Sequence, residues 1–303
     1  MPHVTLEDVA RAADVSLATA SRALNGRRVT PHLHDRVLAA AARLAYTPNA
    51  HARALAGASH RSVGVICHDV TDPYFAAVAG GVMRVAADND LLVMLASTFR
   101  DPEREIAYVS MLRAERAPAI LLIGSGFEDP RWDRALAAEL TPYLDGGGRV
   151  AVLSGPSELT TVADRFGGFR DELAAAGVTL SPAAVAEAEF TRDGGYQAMT
   201  ELLGRGLDAT CVFALTDVMA VGAYAALRDH GLSVPGDISV AGFDDIPIVR
   251  DLTPPLTTVA LPLRQLGEKA MELALTENPG RRRRITRLPA EVVLRASTAP
   301  ARA

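Results

Sequence analysis

With 303 residues, 49% of them hydrophobic and 22% charged, and no apolar run of about 18 positions, the chain has the profile of a folded two-domain protein rather than a disordered or membrane-spanning one. The start, MPHVTLEDVA, is polar and shows no secretory pattern. Cys67 and Cys211 stand far apart in apolar runs, which points to buried, reduced thiols in a cytoplasmic protein. The net charge of -5 is unevenly spread: residues 1–60 hold seven arginines against four acids. A small basic head on an acidic body suggests an anionic partner for the head.

The first 48 residues predict three short helices. Thr5 caps the first, with Glu7 and Asp8 in its opening turn, and Leu6, Val9, Ala10 and Ala13 form one apolar stripe. Asp14 and Val15 turn the chain, and Ser16 caps a second helix from Leu17 to Leu24 whose Ala20 and Leu24 face the first. Thr30-Pro31 opens a third, with Val37, Leu38, Ala41 and Leu44 as its buried face. The sizes and the turn match a helix-turn-helix. Such a unit can be a structural cap, but the free face of the second helix carries Ser16, Leu17, Ala18, Thr19, Ser21 and Arg22. Small side chains permit close approach to a duplex, hydroxyls reach phosphates, and a guanidinium bonds guanine O6 and N7 together.

The stretch VTLEDVARAADVSLATASRALN, followed by LAYTPNAHARALAG, resembles the N-terminus of the LacI/GalR family of bacterial transcriptional regulators. The resemblance implies that Leu17, Ala18 and Arg22 read bases, while Thr5, Ser16, Thr19, Ser21 and Asn25 hold the DNA backbone. It also makes residues 49–60 a hinge helix and linker that folds in the minor groove as a pair across a dimer axis. The residues themselves agree: Pro48 blocks the third helix, Asn49 is a good cap and Gly57 a stop. Two turns are too short to be stable alone. Leu55 is placed to wedge between base steps, or alternatively to pack on its own body, and Arg53 to meet phosphate.

From Ser62 strands and helices alternate: SVGVIC, LLVMLAS, AILLIGS, VAVLSG, AVAEAEF, TCVFAL and DISVAGF read as strands with helices between them. The pattern predicts parallel sheets covered on both faces, in two lobes with a ligand cleft at the strand C-terminal ends. VFALTDVMAVGAYAALRDHGLSVPGDISVAGFDDI and LTPPLTTVALPLRQLGEKAMELAL resemble the same family's periplasmic-binding-protein type I-like core. By that resemblance lobe 1 covers about 61–148 plus 262–280, and lobe 2 about 150–255 plus 285–303. Tyr74 and Phe75 form an aromatic floor, Thr161 and Arg165 lie one turn apart, and Phe190 stands opposite. Asp217 and Asp244 accept bonds from the hydroxyls of a sugar-like effector. An alternative is that Arg165 and Asp244 simply satisfy each other.

The chain departs from the family near residues 149–150. ELTPYLDGGGRV runs directly into AVLSGPSELTTVADR, where the family has an intervening strand, crossover and helix. A unit of roughly 30 residues is missing. On this reading VAVLSG belongs to the second lobe, and the first lobe loses an edge strand.

No GxSxG, Walker loop, GxGxxG after a strand, HExxH or Cys/His metal spacing occurs, so neither an enzyme nor a cofactor or metal site is expected. The adjacent Asp244 and Asp245 point apart on a strand end. Arg281 to Arg284 form either a second DNA contact or a solvated edge. The fold class expected is an all-α helix-turn-helix head on an α/β two-lobed, doubly wound core. The function expected is that of a cytoplasmic, homodimeric repressor of operator DNA controlled by a carbohydrate-like small molecule. The alternatives are a solute-binding or sugar-processing protein with an incidental head, and a constitutive DNA binder.

Overall fold

The computed structural model describes residues 4–46, 62–124, 165–175, 181–206, 209–276 and 286–299, and the backbone of 149–154. The chain divides into two units, Met1–Arg61 and Ser62–Ala303.

In the first unit α1 (Leu6–Ala12), α2 (Leu17–Leu24) and α3 (Pro31–Arg43) enclose a core made mostly of alanine, with Val9 and Val37 as its largest fully buried members. Asp14, with φ of 49°, makes the turn between α1 and α2. Arg36 of α3 then staples that turn, donating to the carbonyls of Ala13 and Asp14 at 2.6 and 3.1 Å. Two expectations for α3 need correction. Leu38 is 44% exposed and Ala40 is buried in its place, because three short helices cover a narrower stripe than helical periodicity allows. Thr30 stands at the N-cap position without a side-chain cap bond, leaving Pro31 to start the helix.

Among the described residues, the second unit holds two four-stranded sheets. The first is built from β1 (Ser62–Cys67), β2 (Leu92–Ser97), β3 (Ala119–Gly124) and β4 (Arg149–Ser154), in the order β2-β1-β3-β4, all parallel. Alternation sorts its side chains. Val63, Val65, Cys67, Leu121 and Ile123 face α4 (Pro73–Asp88), whereas Ile66, Ile120 and Leu122 face Val109 and Leu112 of α5 (Pro102–Ala114). Late in the chain α9 (Leu263–Leu275) returns to cover β3 and β4 and packs along α4. The two helices touch backbone to backbone at Gly81 and Gly267, where a Cβ on either would collide with the other's main chain.

The second sheet is β5 (Cys211–Phe213), β6 (Ser239–Asp244), β7 (Thr257–Ala260) and β8 (Glu291–Val293), in sequential order. Its first three strands run parallel, and β8 is an antiparallel edge rather than a parallel strand. Around it lie α6 (Gly167–Ala175), α7 (Arg192–Gly204) and α8 (Asp217–Asp229).

The strand RVAVLS does not join the second sheet. It pairs with β3 over six residues, Ala119 opposite Arg149 through Gly124 opposite Ser154, so the first lobe keeps its edge strand. β3 is almost wholly buried, and leaving its outer ladder bare would strand its peptide groups. The next apolar strand closes it, and residues 125–148 exceed the dozen or so that a parallel crossover needs. The second lobe bears the consequence. AVAEAEF forms no strand: residues 185–190 make no ladder with any described residue, although Ala186, Ala188 and Phe190 pack on the core. Among the described residues β5 ends the sheet, and Cys211 is exposed rather than buried, while Cys67 is buried as expected.

Candidate DNA-reading face and ligand cleft

In the head, local capping shapes the presented surface. Thr5 and Asp8 form a reciprocal capping box, with Asp8 Oδ2 accepting from the Thr5 N–H at 2.9 Å and from the Thr5 hydroxyl at 2.7 Å. Ser16 Oγ accepts from the Thr19 N–H at 3.1 Å and lies 2.8 Å from the Thr19 hydroxyl. These three hydroxyls are thus engaged in fixing helix starts. Beyond the cap, α2 presents Leu17, 49% exposed, with Ala18 and Arg22 beside it and Ser21 half-buried. Arg22 Nε donates to the Ala18 carbonyl at 3.2 Å, laying the side chain back along the helix. Its two terminal nitrogens make no hydrogen bond to a described residue. Asn25 closes the helix by donating from Nδ2 to the Ser21 carbonyl at 2.8 Å, and its Oδ1 is buried without a described partner. Asn49, Arg53 and Leu55 lie outside the described residues.

In the body, a small cleft, open to solvent, lies between the C-terminal ends of the two sheets, the place where doubly wound folds bind ligands. The first lobe contributes His68 after β1, Asp72, Tyr74 and Phe75 at the start of α4, and Arg100 after β2. The second contributes Arg165, Phe190, Thr216 and Asp244. Asp72 caps α4 by accepting from the Tyr74 N–H at 2.9 Å, which aims both aromatics into the cleft. Phe75 is packed edge-on by Tyr74 and by His68, at ring separations of 5.0 and 5.6 Å. His68 Nδ1 in turn lies 3.3 Å from the Thr98 hydroxyl.

Arg165 donates to Asp244 at 3.1 Å and to the Leu215 carbonyl at 2.6 Å, and its Cζ sits 3.9 Å from the centre of the Phe243 ring. Asp244 adopts a positive φ of 124°, a conformation seldom held without a purpose. Burial pushes its carboxyl up, against the pull of Arg165. Burial also raises Tyr74 to about 12, with Asp244 adding to it, and lifts Asp72 above the usual carboxylate range.

Five residues expected in the cleft therefore meet there: Tyr74, Phe75, Arg165, Phe190 and Asp244. Asp217 does not. It is fully buried, accepting from the Thr258 hydroxyl at 2.6 Å and the Ile246 N–H at 2.9 Å, so it ties α8 to β7. The first helical position leaves its direction open, and the cap residue before it, Thr216, lines the cleft instead. Thr161 lies outside the described residues. His68, Asp72, Arg100 and Thr216 went unnoticed in the sequence; Asp72 alone had a signal, as an Asp-Pro helix start. Asp245 points away, accepting from Arg295 at 2.6 Å and Arg250 at 2.7 Å. Among the described residues no three His, Cys, Asp or Glu side chains converge as a metal site requires, and no helix is long and apolar enough to cross a membrane.

A helix-turn-helix head joined to a two-sheet body with a cleft at the strand ends defines a DNA-binding transcriptional regulator. Comparison with known proteins makes this specific. Residues 5–49 match the family of bacterial regulatory proteins, lacI family, and residues 145–298 match the periplasmic binding protein-like domain. The chain is 34% identical to the HTH-type transcriptional regulator GalS of Salmonella typhimurium, over 90% of this chain and 89% of that one. It is 30% identical to the ribose operon repressor of Haemophilus influenzae, over 97% and 98% of the two chains. Its fold matches the Lac repressor bound to ONPG in the repressed state with a TM-score of 0.81 and 26% identity, covering 98% of this chain and all of that one. The chain belongs to the lacI family of bacterial regulatory proteins. The alignment with the ribose operon repressor spans 325 positions; 97% of 303 residues is about 294, so about 31 positions hold no residue of this chain.

Proposed function

We propose that the protein is a repressor whose two copies hold the halves of a near-palindromic operator, and whose hold is set by a polyhydroxylated, sugar-like molecule in the cleft. On the DNA, Leu17, Ala18 and Arg22 meet base edges, while Thr5, Ser16, Thr19, Ser21 and Asn25 position the head, and Asn49, Arg53 and Leu55 act in the hinge. In the cleft, Tyr74, Phe75 and Phe190 take the apolar face of a ring and Asp244, held by Arg165, accepts from its hydroxyls, with Thr161 nearby. A ligand touching both lobes favours one relation of the lobes over the other, and residues 49–60 carry that preference to the heads. The relatives support the reading, since they include a ribose operon repressor and a Lac repressor bound to ONPG.

The observation that carries it is the convergence of three aromatics and a buried Arg165–Asp244 pair on one cleft formed by both sheets. Binding of a labelled duplex, followed by fluorescence anisotropy across a sugar panel, is the test. At least one sugar changes duplex affinity by about 5- to 150-fold, the usual range of coupling between sites. Unchanged affinity across the panel leaves a constitutive DNA binder.

A further inference from the structure

We propose that Arg100 reads an oxyanion, a phosphate or a carboxylate, carried by the polyhydroxylated ring in the cleft; this rests on the cleft being the effector site. Arg100 follows β2 in a tight turn. The Thr98 and Phe99 N–H groups donate to the carbonyls of Cys67 and His68 at 2.9 and 2.7 Å, which binds the turn to the end of β1. Phe99 and Arg100 both take left-handed backbone, with φ of 52° and 62°. Two successive non-glycine residues in that region are uncommon. The bend turns Arg100 into the cleft, where its guanidinium lies 5.4 Å from the centre of the Phe190 ring on the opposite lobe, within reach of a cation–π contact.

The two cleft arginines differ in what they have left to give. Arg165 has its fork committed to Asp244 and Leu215 and its face to Phe243. Arg100 stacks on Phe190 but makes no hydrogen bond or ion pair with any described residue, so none of its five donors is spent on one. The carboxylate that influences it is Asp72, which makes no ion pair with it and already caps α4 through the Tyr74 N–H. Asp244, the other acid of the cleft, is neutralised by Arg165. A half-buried guanidinium fork with free parallel N–H groups matches the paired oxygens of a carboxylate or phosphate. Tyr74, Phe75 and Phe190 supply the faces on which the rest of the ligand lies. Because Arg100 comes from one lobe and Phe190 from the other, an anion at this point touches the junction where the lobes meet.

Calorimetry on the full chain tests this with matched ligands: glucose, galactose and ribose, their terminal phosphate esters, glucuronate and galacturonate, and inorganic phosphate alone. At least one charged sugar binds at least about tenfold tighter than its neutral parent, roughly the worth of one charge-assisted hydrogen bond. Arg100→Gln brings that gap within about twofold, with circular dichroism and the thermal midpoint showing the variant folded; Arg100→Lys retains part of the gap. Whether phosphate or carboxylate gives the larger gap identifies the oxyanion. Equal binding of charged and neutral sugars, or a gap that survives in Arg100→Gln, overturns the proposal and leaves the effector cleft standing. Inorganic phosphate binding as tightly as any ester overturns the sugar-borne part. No binding by any member overturns both this inference and the effector reading.

Discussion

Arg165 and Asp244 form an ion pair at 3.1 Å with side chains only 8% and 3% exposed, at the point where the second sheet meets the cleft. Such a pair costs desolvation on both sides, and removing one partner leaves the other charge buried. Arg165→Met is expected to lower the unfolding free energy by about 3 kcal/mol, and adding Asp244→Asn to recover much of the loss. Urea unfolding of the two single variants and the double variant measures this. Additive losses would show that the two residues act independently.

Glu105, in the first turn of α5, is buried, and burial pushes its carboxyl up to about 7 from the usual 4.5. Between those values the folded state holds a proton that the unfolded state has released. The stabilisation is therefore full below about pH 4.5 and is lost as pH rises through about 7. The loss is on the order of 3 kcal/mol. Thermal or urea unfolding at pH 5 and pH 8 should show the body weakening with rising pH, and Glu105→Gln should flatten that dependence.

The placement of RVAVLS is open to a covalent test. Leu121 and Ala151 are register partners in β3 and β4, and neighbouring strands bring Cα atoms within disulfide range. With Cys67 and Cys211 replaced by serine, the pair Leu121→Cys and Ala151→Cys is expected to oxidise readily, as a mobility shift under non-reducing conditions. A pair that stays reduced would return the strand to the second lobe.

Arg22 is exposed on α2, with its terminal nitrogens making no hydrogen bond to a described residue. Arg22→Ala is expected to cost about 1 to 3 kcal/mol of operator affinity and to relax preference at one base pair. Competition binding on single-base operator variants reads both. An equal loss on random duplex would mean that Arg22 holds phosphate.

What was legible in the sequence follows the range of the forces involved. Helix starts at Thr5 and Ser16 are fixed by side chains bonding to backbone within three residues, so local reading finds the signal. The aromatic pair Tyr74 and Phe75 is placed on the cleft floor by the family resemblance, not by any local signal. Strand partners were not legible. Val185 to Phe190 has strand composition, yet a strand needs a neighbouring ladder, and RVAVLS carries nothing that names which sheet it joins. Asp217 was misplaced because its direction depends on Thr258 and Ile246, far along the chain. Arg100 was invisible because only the left-handed turn at Phe99 and Arg100 sends it into the cleft.

The most direct measurement is selection of bound duplexes from a random pool by the full chain at moderate salt, repeated with candidate sugars. The expected result is enrichment of a near-palindromic site with two equivalent half-sites, falling when an effective sugar is added. A pool that stays random, with no duplex preferred over bulk genomic competitor, would contradict it.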